Sequence, residues 1–293
     1  MNLFGTLWFG PVSAYEISCL DSFIKRGHQV YLYTYDEIKD LPLAAKQIDA
    51  SEILDRSYLS RFIYDGKPSV TAFADYFRYL MFLKTDLCWI DADVFLLHDF
   101  DIGADGNFLL LDEERRICTA ILRINGRSPQ LKRIIAEAEA LIDKDLPWGA
   151  MQNCVAKAFR KEFAAGDKLF KRPEAFMPVH YKEYYKFLLP EYADECAQRC
   201  KGAKTVHLYN NILDRIGVYK NLLPPAGSYL NHLFTSHGHG SHFIGTYPAS
   251  VMRSLIEGWR MRLSGECLGV KNVVKQIFPS LRRSIKKIIW NHI

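Results

Sequence analysis

The first thirty-five residues constrain the fold more than any other stretch of the chain. Leu3 to Phe9 is a short apolar run ended by Gly10-Pro11, which marks a buried strand followed by a turn. Ser13 stands three residues ahead of Glu16, the spacing of a capping box. Ile17, Leu20 and Ile24 then recur at helical spacing until Gly27 closes the element. His28 to Tyr35, rich in Val and Tyr, reads as a second strand. Strand, helix and strand in that order make a right-handed βαβ unit and predict an α/β fold with a mainly parallel central sheet. Sheets of this kind bind ligands beyond the carboxyl ends of their strands. Phe9, Gly10, Tyr33 and Tyr35 lie at those ends, and the aromatic faces of Phe9 and Tyr33 are suited to holding a nucleotide base.

Further along, residues 72–83 read as a helix. Leu87 to Ile90 is a short buried strand that runs directly into Asp91-Ala92-Asp93. Residues 108–111 and 119–123 are strand candidates, and 129–142 and 152–163 look helical. From Lys171 to Pro225 the periodicity weakens, which predicts loops and short elements covering the sheet edge. With 293 residues, 49% of them hydrophobic, the chain can bury one large core, expected over 1–269, followed by a tail over 270–293. The 7 cysteines are odd in number, so a fully paired disulfide framework is excluded, and most sit among apolar residues as reduced core cysteines do. A net charge of +5 suits an anionic substrate or surface and gives no call for nucleic acid. The amino terminus lacks a basic segment and a cleavage site, and no stretch is apolar enough to span a bilayer. The expected location is cytoplasmic, with any membrane contact peripheral at the inner face.

Two carboxylates as close as Asp91 and Asp93 repel in a buried site unless a cation lies between them. A hard divalent ion, Mn²⁺ or Mg²⁺, takes oxygen ligands, binds diphosphate oxygens and neutralises a departing nucleoside diphosphate. A solvated acidic turn is the plain alternative. Asp75 and Arg78 lie just ahead, spaced i,i+3 on the predicted helix and so on one face. A carboxylate can grip sugar hydroxyls, and a guanidinium can neutralise phosphate or donate to the same sugar. A surface ion pair is the plain reading of these two.

The run Phe73-Ala-Asp75-Tyr-Phe-Arg78-Tyr, followed by Cys88-Trp-Ile-Asp91-Ala-Asp93-Val, resembles the signature of the DXD-containing sugar transferases of glycosyltransferase family 32. That family includes α1,4-galactosyltransferase-like enzymes and bacterial polysaccharide transferases. Trp8-Phe9-Gly10-Pro11-Val-Ser13, the Gly27-to-Tyr33 strand and Val206-His207-Leu208-Tyr209-Asn210 resemble its other blocks, so the similarity covers roughly residues 1 to 235. Asp86-Leu87 stands where the family often carries Gly-Gly. The resemblance implies a GT-A type nucleotide-sugar-binding fold and a nucleoside diphosphate sugar donor, with a UDP-sugar the expected one. It also implies Mn²⁺ or Mg²⁺, and transfer with retention to a glycan or lipid-linked acceptor, as in surface polysaccharide synthesis. By position it assigns Asp75 and Arg78 to donor sugar and ribose, Asp91 to ribose or metal, Asp93 to the metal, and His207 to the metal or diphosphate. It places Gln152 and Asn153, in Trp148-Gly-Ala-Met-Gln-Asn, on a donor-sugar or acceptor loop among the candidate catalytic residues.

Two further features stand apart. Ser236-His-Gly-His-Gly-Ser-His242 can be a metal-binding cluster, a loop that closes over an acceptor, or a plain solvated loop. The tail carries Val270, Val273, Val274, Ile277, Phe278, Leu281, Ile285, Ile288 and Ile289 at helical spacing, with Lys271, Lys275, Arg282, Arg283, Lys286 and Lys287 opposite and Pro279 as a break. Such a helix suits an anionic membrane surface or docking on its own domain. A haloacid-dehalogenase-type phosphotransferase, which also carries Asp-x-Asp after a strand, and a non-catalytic membrane-associated protein remain the rival functions.

Overall fold

The computed structural model describes residues 1–39, 41, 43–103, 106–164, 169–264, 277, 279–286 and 288. The expected opening unit is present as β1 (Leu3–Trp8), α1 (Ala14–Ile24) and β2 (Gln29–Thr34). Ser13 and Glu16 form the full capping box. The chain continues through β3 (Lys46–Asp49), a small hairpin of β4 (Ile63–Tyr64) and β5 (Lys67–Pro68), and α2 (Val70–Lys84). Next come β6 (Cys88–Ile90), β7 (Val94–Leu96), β8 (Phe108–Leu111), β9 (Ile117–Arg123) and α3 (Pro129–Glu139). β10 (Asp145–Leu146), α4 (Ala150–Ala158), α5 (Arg160–Ala164) and β11 (Phe170–Lys171) follow. The expected single helix over 152–163 is two, because the backbone leaves helical geometry at Phe159, which closes α4. The remaining elements are α6 (Ala193–Cys200), β12 (Thr205–His207), α7 (Asn210–Ile216), α8 (Tyr229–Ser236) and α9 (Ala249–Ser264).

The main sheet has the order β11-β8-β9-β6-β1-β2-β3. β1 pairs in parallel with β2 and β6, β2 with β3, and β8 with β11, whereas β9 runs antiparallel to both neighbours. The α/β class and mainly parallel sheet are therefore as the sequence predicts. Successive strand residues face opposite ways. Trp89 packs into the core under α2, α3 and α4, while Cys88 and Ile90 enter the core against Leu20 and Phe23 of α1. Gly5 lets α2 approach β1 closely: a Cβ there would lie 2.8 Å from Met81 Sδ.

The stretch from Lys171 to Pro225 is more than an edge cover. With α8 and α9 it builds a separate core around Phe187, Val206, Leu230 and Phe234, into which α1 sends Tyr15 and Cys19. Helix α1 is thus buried on both sides, which is why Glu16, Ser18 and Ser22 are buried as well as its apolar residues. Its serines bond within the fold: Ser18 Oγ donates to Ala14 O, and Ser22 Oγ accepts from Leu96 N at 2.8 Å. Six cysteines are described and all six are free. The expected boundary at 269 and most of the tail lie outside the described residues. No helix among the described residues is long and apolar enough to cross a membrane.

Candidate metal–nucleotide site

Strand β6 delivers Asp91 at its carboxyl end, and the chain turns through Ala92 and Asp93 into β7. The antiparallel pairing of β7 with β12 sets His207 opposite Val94, beside Asp93. His207 Nε2 lies 3.2 Å from Asp93 Oδ1, and the backbone N–H of Asn210 donates to Asp93 Oδ2 at 2.8 Å. Tyr209 holds a left-handed φ of +58°, unusual for a side chain of its size, and this bend aims Asn210 at the carboxylate. Asp91, Asp93 and His207 each offer a ligand atom within 4.8 Å of the others.

Burial and mutual pairing shift all three groups. Burial would lift the Asp93 carboxyl, but the charge and hydrogen bond of His207 and the Asn210 N–H override it and hold it below its ordinary value. Burial lifts the Asp91 carboxyl, and the Asp93 charge adds to the rise against the pull of Arg78. Burial lowers His207, and Asp93 more than restores it. The donor set, two carboxylates and an imidazole, is compatible with a divalent cation. His207 Nδ1 and Asn210 Oδ1 are buried and have no hydrogen-bond partner among the described atoms.

Behind this trio, Arg78 is buried between two acids, with Nη2 3.3 Å from Asp75 Oδ1 and 3.5 Å from Asp91 Oδ1. It also donates to Thr119 O and Ala74 O and lies 4.3 Å from the Trp89 ring centroid, and the Trp89 indole N–H donates to Asp91 at 2.7 Å. Arg78 is therefore enclosed behind the carboxylates rather than open to a sugar. Asp75 is 3% exposed, and burial raises its carboxyl to about 6 against the opposing pull of Arg78. A carboxyl that ionises later folded than unfolded withdraws stability as pH rises from about 4 to about 6. The displacement amounts to about 3 kcal/mol. Urea unfolding of metal-free protein at both ends of that window should show this loss in the parent and a shallower pH dependence in Asp75→Asn. Equal pH slopes would refute the assignment.

Two grooves are lined by residues that the sequence singles out. One, about 290 Å³, is lined by Trp8, Phe9, Gly10, Pro11, Thr34, Tyr35 and the loop to Lys39, at the carboxyl ends of β1 and β2. Phe9 and Gly10 are where the sequence places them. Tyr33 is not: it is buried against Phe77, one strand repeat short of the rim, and Tyr35 reaches the groove instead, packed on Phe9. The other, a shallow groove, is lined by Asp75, Gln152, Trp148 and Tyr64 among others. Asn153 is exposed and lies outside its lining, because one residue along α4 turns the side chain by about 100°.

Three residues with larger parts than their sequence context signals sit beneath Asp93. Glu16 is wholly buried and accepts from Asn210 Nδ2 and Lys220 Nζ, both at 2.6 Å, and Lys220 also pairs with Asp214 at 3.1 Å. In sequence Glu16 shows only its capping role. The histidine-rich segment is a different case. His239 is buried against Phe95 and α1, with its pKa lowered to about 4 by burial, whereas His237, Gly238 and Ser241 are exposed. Asp21, His239 and His242 could group around a metal. The Lys25 ammonium already stands there, 3.1 Å from Asp21, 3.4 Å from His239 Nδ1 and on the carbonyls of His237 and Gly238.

The fold and site together describe an α/β protein with a two-carboxylate, one-imidazole centre at the end of a central strand. The chain matches no protein-family model and no curated protein. Among solved structures it is similar to GlyE, a glycosyltransferase of Streptococcus pneumoniae TIGR4, at 15% identity and a TM-score of 0.41, over 89% of this chain and 64% of GlyE. It is also similar to a transferase solved as a double cysteine-to-serine mutant, at 14% identity and TM-score 0.40, over 70% of this chain and 91% of that one. The PaToxG glycosyltransferase matches at 10% identity and TM-score 0.34, over 56% and 74%. Likenesses of this size assign no activity.

Proposed function

We propose that the chain is a metal-dependent glycosyltransferase with a GT-A type fold. It moves a sugar from a nucleoside diphosphate sugar, a UDP-sugar by resemblance, to a glycan or lipid-linked acceptor in surface polysaccharide synthesis, with retention. The observation that carries this reading is the Asp91–Asp93–His207 trio at the end of β6, together with an open groove at the carboxyl ends of the adjoining β1 and of β2. In this reading Asp91, Asp93 and His207 hold Mn²⁺ or Mg²⁺, which supplies Lewis-acid neutralisation of the diphosphate leaving group. Phe9 and Tyr35 offer the base an aromatic rim. Asp75 lies within reach of sugar hydroxyls, and Arg78 keeps Asp75 and Asp91 together as carboxylates. Glu16 fixes Asn210 and Lys220, and through Asn210 the orientation of Asp93. A thermal-shift series of nucleoside diphosphates with and without Mn²⁺ tests the reading. A ligand at about a hundred times its Kd adds about 2.7 kcal/mol to native stability. No Mn²⁺-dependent shift with any nucleoside diphosphate would refute it.

The tail is proposed to hold the protein peripherally on an anionic membrane. Its described apolar residues, Ile277, Leu281, Ile285 and Ile288, all face solvent. Arg282 and Lys286 meet Asp145, and Arg283 meets Asp65, so three of its cations lie on the domain. The apolar stripe then supplies most of the attachment, with a smaller electrostatic part that salt weakens. Full-length protein should co-sediment with phosphatidylserine vesicles, and protein lacking residues 270–293 should stay in the supernatant while still binding nucleotide. Failure of the full-length chain to sediment at any ionic strength would end this proposal.

A further inference from the structure

Lys25, at the carboxyl end of α1, holds its ammonium in a ring of acceptors. Asp21 Oδ2 lies 3.1 Å away and His239 Nδ1 3.4 Å, and the carbonyls of His237 and Gly238 accept at 3.2 and 3.1 Å. Acceptors converging on one positive charge define a cation position built into the fold. A second imidazole stands beside it: His242 Nε2 lies 3.7 Å from Asp21 Oδ2, and the rings of His239 and His242 are stacked with centroids 6.0 Å apart. One carboxylate oxygen and one ring nitrogen from each histidine lie within 4.8 Å of one another. Carbonyls and a carboxylate suffice for an ammonium. Two imidazole nitrogens facing one carboxylate are donors suited to Zn²⁺ or Co²⁺, whereas Mg²⁺ and Ca²⁺ favour oxygen.

The ligands are fixed by packing. Asp21 stands on a helix buried on both sides, and His239 is wholly buried, its ring edge-on to Phe95 of β7 at 5.4 Å and 88°. Burial keeps the His239 imidazole neutral down to about pH 4, which leaves a nitrogen lone pair for a metal. His237 stays outside the set, because its Nδ1 donates to the Leu233 carbonyl at 2.9 Å. Lys25 can leave: its side chain is 44% exposed and sits on a flexible four-carbon stem. His242, 16% exposed, opens the position to solvent.

We propose that Asp21, His239 and His242 form a second metal site that takes Zn²⁺ or a similar transition-metal ion, with the Lys25 ammonium displaced into solvent. It shares no residue with the Asp91–Asp93–His207 trio, and its donors are reversed, two imidazoles to one carboxylate. The ion clamps the loop carrying His239 and His242 onto α1 and stabilises the fold. The site does not depend on the glycosyltransferase reading.

Metal-free full-length protein is titrated with Co²⁺, whose visible spectrum reports imidazole ligation, and then with Zn²⁺. The same titrations are run on Asp93→Asn, His242→Ala, His242→Gln and Lys25→Met. Parent and Asp93→Asn should both give a saturable Co²⁺ band that Zn²⁺ bleaches, and Zn²⁺ should raise the melting temperature of both. His242→Ala should weaken this binding at least about tenfold, because even the partners behind metal-bound histidines are worth about 10–100-fold and a ligand is worth no less. His242→Gln should show the same loss, which covers the case in which the alanine variant melts early without metal. Lys25→Met should bind about tenfold more tightly, since no ammonium has to be displaced. A parent that gives no saturable Co²⁺ band overturns the proposal. So does a band lost in Asp93→Asn and kept in His242→Ala, which would place the ion at the other trio. Binding by Lys25→Met alone also overturns it, since the ammonium would then be the permanent occupant.

Discussion

Asp93→Asn is expected to abolish the Mn²⁺-dependent part of nucleoside diphosphate binding and to lower transfer by on the order of 10² to 10³-fold, with the fold intact. The substitution takes the charge from the centre while keeping the shape. The amide oxygen can still accept from Asn210 N–H, which in the parent donates to Asp93 at 2.8 Å. What is lost is an anionic ligand beside His207, and several kcal/mol of stabilisation of developing negative charge goes with it. A purified variant that melts like the parent yet transfers sugar at the parent rate would sink the metal-centre reading. It would leave the non-catalytic alternative standing.

Arg78→Ala should have the second-largest effect, and mainly on stability. The guanidinium lies within 3.5 Å of both Asp75 and Asp91 and is itself buried. Its removal strands two buried carboxyls and the Thr119 carbonyl it caps. Breaking a buried pair by deleting one partner costs about 3–5 kcal/mol. In a chain of this size that lowers the melting temperature by on the order of 10 °C. Arg78→Lys keeps the charge but lacks the planar fork that reaches Asp75, Asp91 and Thr119 together, so it should recover only part of the loss. A melting temperature unchanged in Arg78→Ala would refute the buried counter-ion role, and so would full recovery by Lys.

Some of this site is plain in one dimension. Asp75 and Arg78 share a face because an α-helix repeats every 3.6 residues, and Asp91-x-Asp93 stands at a strand end because an apolar run stops there. His207 is 114 residues beyond Asp93, and spacing alone could not bring it there. The antiparallel pairing of β7 with β12 does so. Tyr33 shows the limit of reading strand ends from sequence: alternation gives the face, but only tertiary packing decides that Tyr33 is buried against Phe77 while Tyr35, partly covered by Phe73, still lines the groove.

The sequence by itself determined the opening βαβ unit, the α/β class, the parallel core of the sheet and the acidic pair at its end. Local propensity, capping and hydrophobic period act within a few residues and are written there. The tertiary structure alone decided which charges are buried. It set Arg78 behind two acids, Glu16 under Asn210 and Lys220, and Lys25 among Asp21 and the loop histidines. It also turned the stretch after Lys171 into a second core and left Trp148 facing solvent beside Tyr64. Desolvation and pairing depend on what every other element places nearby, and no window along the chain contains that information.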